Sequence, residues 1–132
     1  GTAVLAMAAA KIWPSAANLA SDIDPVAVEV AVANLAANDM VDALVCVEAA
    51  GVDHPEIQAA APFDLLFANI LKGPLIELAP SMCATVAPKG HVVLSGLLVE
   101  QAEDVAKAYE AEGLTLTSRR DLGEWSCLTL QK

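Results

Sequence analysis

The polar residues that could bind a ligand or act on one stand where apolar segments of this 132-residue chain end. In an α/β sheet, ligands bind beyond the carboxyl ends of the strands, so residues at those ends are the first candidates for a site. Helix N–H groups near the beginning of the chain could also meet a ligand's carboxylate or pyrophosphate. The candidates are Asp22, Glu48, Asn69, the pair Ser95-Gly96, and Gly1-Thr2 at the start of a predicted helix.

Asp22 ends a predicted strand. It follows Gly1 by roughly 20 residues, the spacing at which an acidic residue accepts hydrogen bonds from both hydroxyls of a nucleoside ribose. Each hydrogen bond to a charged acceptor contributes about 1.5–3 kcal/mol. Asp22 could instead help to cap the following helix, but Asp24 already suits that position. The spacing therefore predicts a ribose-binding carboxylate at Asp22.

Asn69 closes an apolar run, Phe63–Ala68, and its amide offers a carbonyl acceptor and two N–H donors. Such a group can orient an amine without carrying a charge. An asparagine in this place can equally cap the next helix, and the pattern alone does not separate the two roles. Asn69 is therefore a candidate catalytic residue with a structural alternative.

The composition limits the kinds of partner. Asp and Glu number 17 against 7 Lys and Arg, a net charge of −10, whereas nucleic acids and anionic membranes bind clustered Lys and Arg. The longest segment without a charged residue, 78–88, has 11 residues, and a membrane span needs about 20 apolar ones. We expect a cytoplasmic protein that holds no metal, because no metal-ligand motif joins the cysteines and histidines. These are Cys46, Cys83, Cys127, His54 and His91.

Helices and strands alternate along the predicted chain. We expect helices at 3–13, 25–37, 74–86 and 98–113, the third kinked or split by Pro80, and strands at 18–21, 43–47, 63–68, 91–95, 114–117 and 125–130. Turns are expected at 88–90 and 121–123. This alternation implies right-handed crossovers, and the short last turn implies an antiparallel final pair. The predicted fold class is α/β, a doubly wound, mostly parallel sheet with an antiparallel last strand.

The segment Gly1–Ala9 resembles the end of the Gly-rich first motif of S-adenosylmethionine-dependent methyltransferases, in which Asp-x-Gly-x-Gly precedes such an end. Three further runs, 21–25, 63–80 and 94–98, resemble the branch that modifies the eleventh protein of the large ribosomal subunit. The resemblance covers essentially the whole chain in order. Its most specific part is Ala-Asn-Ile-Leu-x-Gly-Pro-Leu at 68–75, whereas Asp-Ile-Asp-Pro at 22–25 is common among methyltransferases.

The resemblance implies the class I methyltransferase fold. It also implies transfer of methyl groups from the cofactor S-adenosylmethionine to lysine side-chain and N-terminal amines of a large-subunit ribosomal protein. It places Asp22 on the cofactor's ribose, Ile23 against the adenine and Gly1 in the loop under the methionine moiety. Asn69 falls where the sulfonium methyl and the incoming amine meet. Many amino-group methyltransferases have Asn-Pro-Pro-aromatic there, whereas this chain has Asn-Ile-Leu, as in the ribosomal branch.

The same resemblance implies that residues 1–132 are a methyltransferase domain truncated at its N-terminal side. The family's first strand, most of its glycine loop and a separate substrate-recognition domain are expected upstream of Gly1. Because the first strand is central in this fold, we expect two unpaired strand edges and weak cofactor binding by this chain alone.

Two other functions stay open on the sequence. A nicotinamide-dependent dehydrogenase also uses an acidic residue after its second strand, but the Asn69 run and the antiparallel ending weigh against it. A non-catalytic fragment that binds a partner through its exposed sheet is the other.

Overall fold

The helices and strands of the computed structural model, which describes residues 1–132, alternate in the predicted order. They divide into a first unit, Gly1–Ala60, and a second unit, Ala61–Lys132. The α/β class and the antiparallel last strand are confirmed. None of the helices is long and apolar enough to pass through a membrane.

The first unit contains two parallel strands and three helices: α1 Val4–Ile12, β1 Leu19–Asp22, α2 Pro25–Ala37, β2 Val45–Glu48 and α3 Pro55–Ala60. β1 and β2 pair so that Asp22 lies opposite Glu48 at their carboxyl ends. Leu35 at the end of α2 and Leu44 before β2 are buried in one cluster with Ala10 of α1. This apolar packing holds the two longer helices against the strand pair.

The start of α2 follows from two adjacent residues. The Asp24 carboxylate accepts a hydrogen bond of 2.9 Å from the Val26 N–H, and Pro25 occupies the first helical position, where a missing N–H costs nothing. The predicted cap at Asp24 is therefore confirmed.

The second unit is a four-stranded sheet with two helices. Its elements are β3 Phe63–Asn69, α4 Lys72–Ala84, β4 Val86–Leu98, a 3-10 turn Val99–Gln101, α5 Ala102–Ala111, β5 Thr115–Leu122 and β6 Trp125–Gln131. The strand order is β3-β4-β6-β5; β3 and β4 are parallel, and β6 is antiparallel to both of its neighbours. The helices contact each other and pack on the same sheet, α4 on β4 and α5 on β5 and β6.

Burial alternates along β4. Val92 and Leu94 are fully buried, whereas His91 and Val93 are only half-buried. The apolar run 91–95 predicts a strand covered on both faces; within this unit the two helices cover one face, so burial has a period of two. Leu97, three residues after Leu94, is fully buried too, because a bulge inserts one extra residue into β4 between them.

Two predicted breaks do not end an element. α4 continues through Pro80, because burial of its Leu75 and Ala79 side offsets the roughly 3 kcal/mol that a proline costs inside a helix. The predicted turn at 88–90 is an irregular stretch within β4, where Lys89 has a φ of +67° and three extra residues separate Val86 from His91 relative to β3. There the Lys89 N–H donates to the Lys132 carbonyl at 2.9 Å, and the Lys132 N–H donates to the Gly90 carbonyl at 3.0 Å. These two bonds extend the strand by pairing it with the end of the chain.

The outer strands of both sheets carry an unpaired edge. β1 pairs only with β2, and β3 pairs only with β4, so the strands form a two-stranded and a four-stranded sheet. β2 and β5 are likewise paired on one side only.

Leu94→Ala should lower the free energy of unfolding by about 2–5 kcal/mol, because it leaves a cavity at a fully buried position of β4. Leu122→Ala is the matched control; Leu122 is 84% exposed at the end of β5, so its loss should change stability by less than about 0.5 kcal/mol. Urea unfolding of the two variants measures both values. Equal midpoints would contradict the placement of Leu94 in the core.

Candidate functional site

Asp22 stands at the carboxyl end of β1 with its two oxygens turned to different groups. Oδ1 accepts a hydrogen bond of 2.9 Å from the Asp24 N–H, and Oδ2 contacts the Gly1 nitrogen. A Cβ built on Gly1 would lie 3.8 Å from Oδ2, so the glycine backbone and the carboxylate are immediate neighbours. The structure therefore brings together two residues that the sequence separates by a helix and a strand.

A pocket opens beside this carboxylate in the first unit. Its walls are formed mainly by small side chains, and Asp22 is the only charged residue among them. Burial raises the pKa of the Cys46 thiol, which also lines the pocket, so this cysteine stays neutral. The other lining residues are Gly1, Ala3, Ala20, Ser21, Val28 and Ala31. The pocket therefore offers a single carboxylate acceptor beside small, mainly apolar walls.

The loop before α1 is held by a side chain from another helix. Asn34 of α2 donates its amide to the Thr2 carbonyl at 3.0 Å. Ala3 then adopts a left-handed conformation, φ 60°, and α1 begins without a side-chain cap. The first N–H groups of α1 are therefore free to donate to a ligand, as the sequence predicts for this helix start.

Ile23 follows Asp22 directly and is 71% exposed. An isoleucine so exposed offers an apolar surface that nothing in the first unit covers. Its expected contact with an adenine ring stays a prediction. Glu48, opposite Asp22, is exposed at the end of β2.

Asn69 is the last residue of β3 and lies opposite Ser95 of β4. Its alternative role as a helix cap is wrong, because α4 begins after Leu71 and has no side-chain cap. The other asparagines, Asn18, Asn34 and Asn38, each donate the side-chain amide to a backbone carbonyl. Asn69 makes no such bond and is exposed, so its amide is available to a ligand.

Comparison with known proteins shows the family of this chain. A family model described as ribosomal protein L11 methyltransferase matches residues 1–132. The chain belongs to the ribosomal protein L11 methyltransferase family. Membership in this family excludes the dehydrogenase alternative, and it confirms the resemblance of the runs at 21–25, 63–80 and 94–98.

Relatives within the L11 methyltransferase family are longer than this chain. The L11 methyltransferase of Brucella suis is 49% identical over 115 residues, which are 87% of this chain and 40% of that protein. The one of Bradyrhizobium diazoefficiens is 46% identical over all 132 residues, 44% of its length. The chain thus spans less than half of these curated relatives.

A crystal structure of the L11 methylase of Lactobacillus delbrueckii subsp. bulgaricus matches with a TM-score of 0.88 at 26% identity. The match covers 98% of this chain and 64% of that one. The class I methyltransferase fold is thereby confirmed.

Trp125 is an exposed aromatic residue of the second unit. Trp13 and Trp125 are 49% and 59% exposed. Trp125 begins β6 opposite Leu98, the last residue of β4. It therefore lies at the end of the sheet where β3 also ends. The Gly-Glu-Trp sequence, which matches the L11 methyltransferase pattern, is the signal that marks it.

The hairpin that carries Trp125 is pinned by polar contacts. The Asp121 carboxylate accepts hydrogen bonds of 2.7 Å from the Ser126 hydroxyl and 3.0 Å from Arg119 Nε. The bond from Arg119 and the bond from Ser126 lower the pKa of Asp121. Arg119 also donates to the Val99 carbonyl at 3.1 Å, which ties the hairpin to the turn after β4.

Ala3→Gly should raise the free energy of unfolding by about 0.5–1 kcal/mol. An alanine in the left-handed conformation costs about 1–2 kcal/mol, which glycine avoids. Glycine loses more conformational entropy on folding, so only part of that energy appears as added stability. Ala8→Gly, at an exposed position inside α1, is the control and should lower stability by about 1 kcal/mol. Chemical denaturation compares them, and a loss of stability in both would contradict the left-handed conformation of Ala3.

Proposed function

We propose that the protein containing this chain transfers methyl groups from S-adenosylmethionine to amino groups of ribosomal protein L11, on lysine side chains and at the N-terminus. Membership of all 132 residues in the L11 methyltransferase family supports the activity and the substrate. The observation that links this activity to a particular residue is the amide of Asn69 at the end of β3, which caps no helix. The chain's net charge of −10 gives no support to a nucleic-acid or membrane partner. We place the reaction in the cytoplasm, where L11 is made.

The residues of the first unit fit the nucleoside part of S-adenosylmethionine. The Asp22 carboxylate would accept hydrogen bonds from the ribose hydroxyls, and Ile23 would pack on the adenine. Gly1 lies against Asp22 and has no side chain, so a ligand can approach the backbone there. The uncapped start of α1 would face the carboxylate of the methionine moiety.

Asn69 would orient the amine. When bound, S-adenosylmethionine supplies a methyl group that its sulfonium already activates, so little acid or base chemistry is required of the protein. The Asn69 carbonyl oxygen would accept an N–H of the amine and hold the nitrogen lone pair in line for attack. Complete alignment of two reactants contributes roughly 7–11 kcal/mol, of which a single amide supplies a part.

Asp22→Ala should weaken S-adenosylmethionine binding by about 2–4 kcal/mol, which is the contribution of two charge-assisted hydrogen bonds. Isothermal titration calorimetry on the full-length protein measures the change. Glu29→Ala, an exposed acidic residue on α2, controls for the loss of one negative charge and should leave the dissociation constant unchanged. An unchanged dissociation constant in Asp22→Ala would remove this residue from the site.

Asn69→Ala should lower the single-turnover rate of methyl transfer to L11 by about 10²–10³ while cofactor affinity stays the same. The reason is that the amide contacts a group that is fully aligned only in the transition state.

Asn69→Asp is the sharper variant. Its carboxylate keeps an acceptor but stabilises the protonated amine, which has no lone pair. It should therefore restore little activity near neutral pH and more at higher pH. A wild-type rate in Asn69→Ala would refute the role of Asn69.

A further inference from the structure

Gly96 occupies a bulge in β4, one residue beyond the partner of Asn69. The pairing of β4 with β6 shifts its register between Leu94 and Leu97, which leaves Ser95 and Gly96 without a regular partner on that side. The Gly96 backbone has a φ of +81°, a conformation that residues with a Cβ rarely adopt. Bulges of this kind re-aim the chain next to functional sites.

The bulge brings the Gly96 backbone against the Asn69 amide. A Cβ built on Gly96 would lie 2.8 Å from Asn69 Oδ1, 2.9 Å from the Ile70 carbonyl oxygen and 3.3 Å from the Ile70 nitrogen. These distances are shorter than van der Waals contact, so no side chain fits at position 96 unless Asn69 or the following peptide moves. Backbone conformation and space therefore demand glycine independently.

Asn69 needs an external restraint. The terminal torsion of an asparagine side chain is broad, so only contacts fix the plane of its amide. No hydrogen bond from the protein holds the Asn69 amide, in contrast to the amide of Asn34, which is bonded to the Thr2 carbonyl. The bare backbone of Gly96 lies against Oδ1 and forms a wall on that side of the amide.

We propose that Gly96 is a positioning residue for the methyl transfer, which sets the orientation of the Asn69 amide by close backbone contact. This inference rests on the proposed function of Asn69. Any Cβ at position 96 displaces Oδ1 from the place where it accepts the amine, so turnover falls while the nucleoside contacts of the first unit are untouched.

The test compares Gly96→Ala with Gly113→Ala in the full-length protein. Gly113 also has a positive φ, +89°, but a Cβ there would meet nothing within 4 Å, so this control shares the backbone strain and lacks the contact. We expect Gly96→Ala to lower the single-turnover rate at saturating L11 at least tenfold more than Gly113→Ala, with equal dissociation constants for S-adenosylmethionine. Equal rates in the two variants would overturn the proposal.

A double variant shows whether the effect passes through Asn69. In the Asn69→Ala background, Gly96→Ala should lose most of its effect on the rate, because the atom it displaces is gone. The same fold-loss in both backgrounds would mean that Gly96 acts only on β4, and would overturn the proposal.

A measurement on the wild-type protein needs no activity. Nuclear magnetic resonance relaxation of the Asn69 side-chain amide, assigned by its disappearance in Asn69→Asp, should show an amide as restricted as that of the hydrogen-bonded Asn34. A freely rotating Asn69 amide would overturn the inference. Absence of methyl transfer by the wild-type protein, with a restricted amide, would instead refute the proposed function and leave the contact standing.

Discussion

The second unit depends on the pairing of β4 with two strands that run in opposite directions. On one side the parallel strand β3 fixes Asn69 opposite Ser95, and on the other the antiparallel strand β6 fixes Trp125 opposite Leu98. Both residues therefore lie at the same end of the sheet, because their two strands hydrogen-bond to β4. The buried side chains of β4 hold that strand in register, because a shift by one residue would turn its apolar side chains away from α4 and α5.

Asn69, the residue proposed to orient the amine during methyl transfer, is neutral. An asparagine does not titrate, so a change of rate with pH would not report the protonation of Asn69 itself. Asp22, the residue proposed to bind the nucleoside, is charged and belongs to the first unit. In the proposed function, binding of the nucleoside and reactivity of the amine therefore depend on different groups.

Much of this arrangement could be predicted because it depends on neighbours in sequence. The Asp24 cap and Pro25 define the start of α2 locally, and the ends of β1 and β3 follow from apolar runs that stop at polar residues. The contact between Gly96 and Asn69 could not be predicted, because it requires a bulge created by pairing with β6, more than 25 residues later. The break expected at Pro80 also depends on packing that the local sequence does not show, because burial of one face of α4 outweighs the local cost of a proline.

The unpaired edge of β3 has a consequence for how this chain behaves at high concentration. Seven residues, Phe63–Asn69, present backbone N–H and C=O groups that no other strand uses on that side. Natural sheets protect such an edge with lysine, proline or a short strand, whereas this one carries Asp64 as its only charge and half-exposes Phe67. β1 is shorter, with four residues, and ends in a carboxylate. Intermolecular strand addition, and the aggregation that follows from it, would therefore begin at β3.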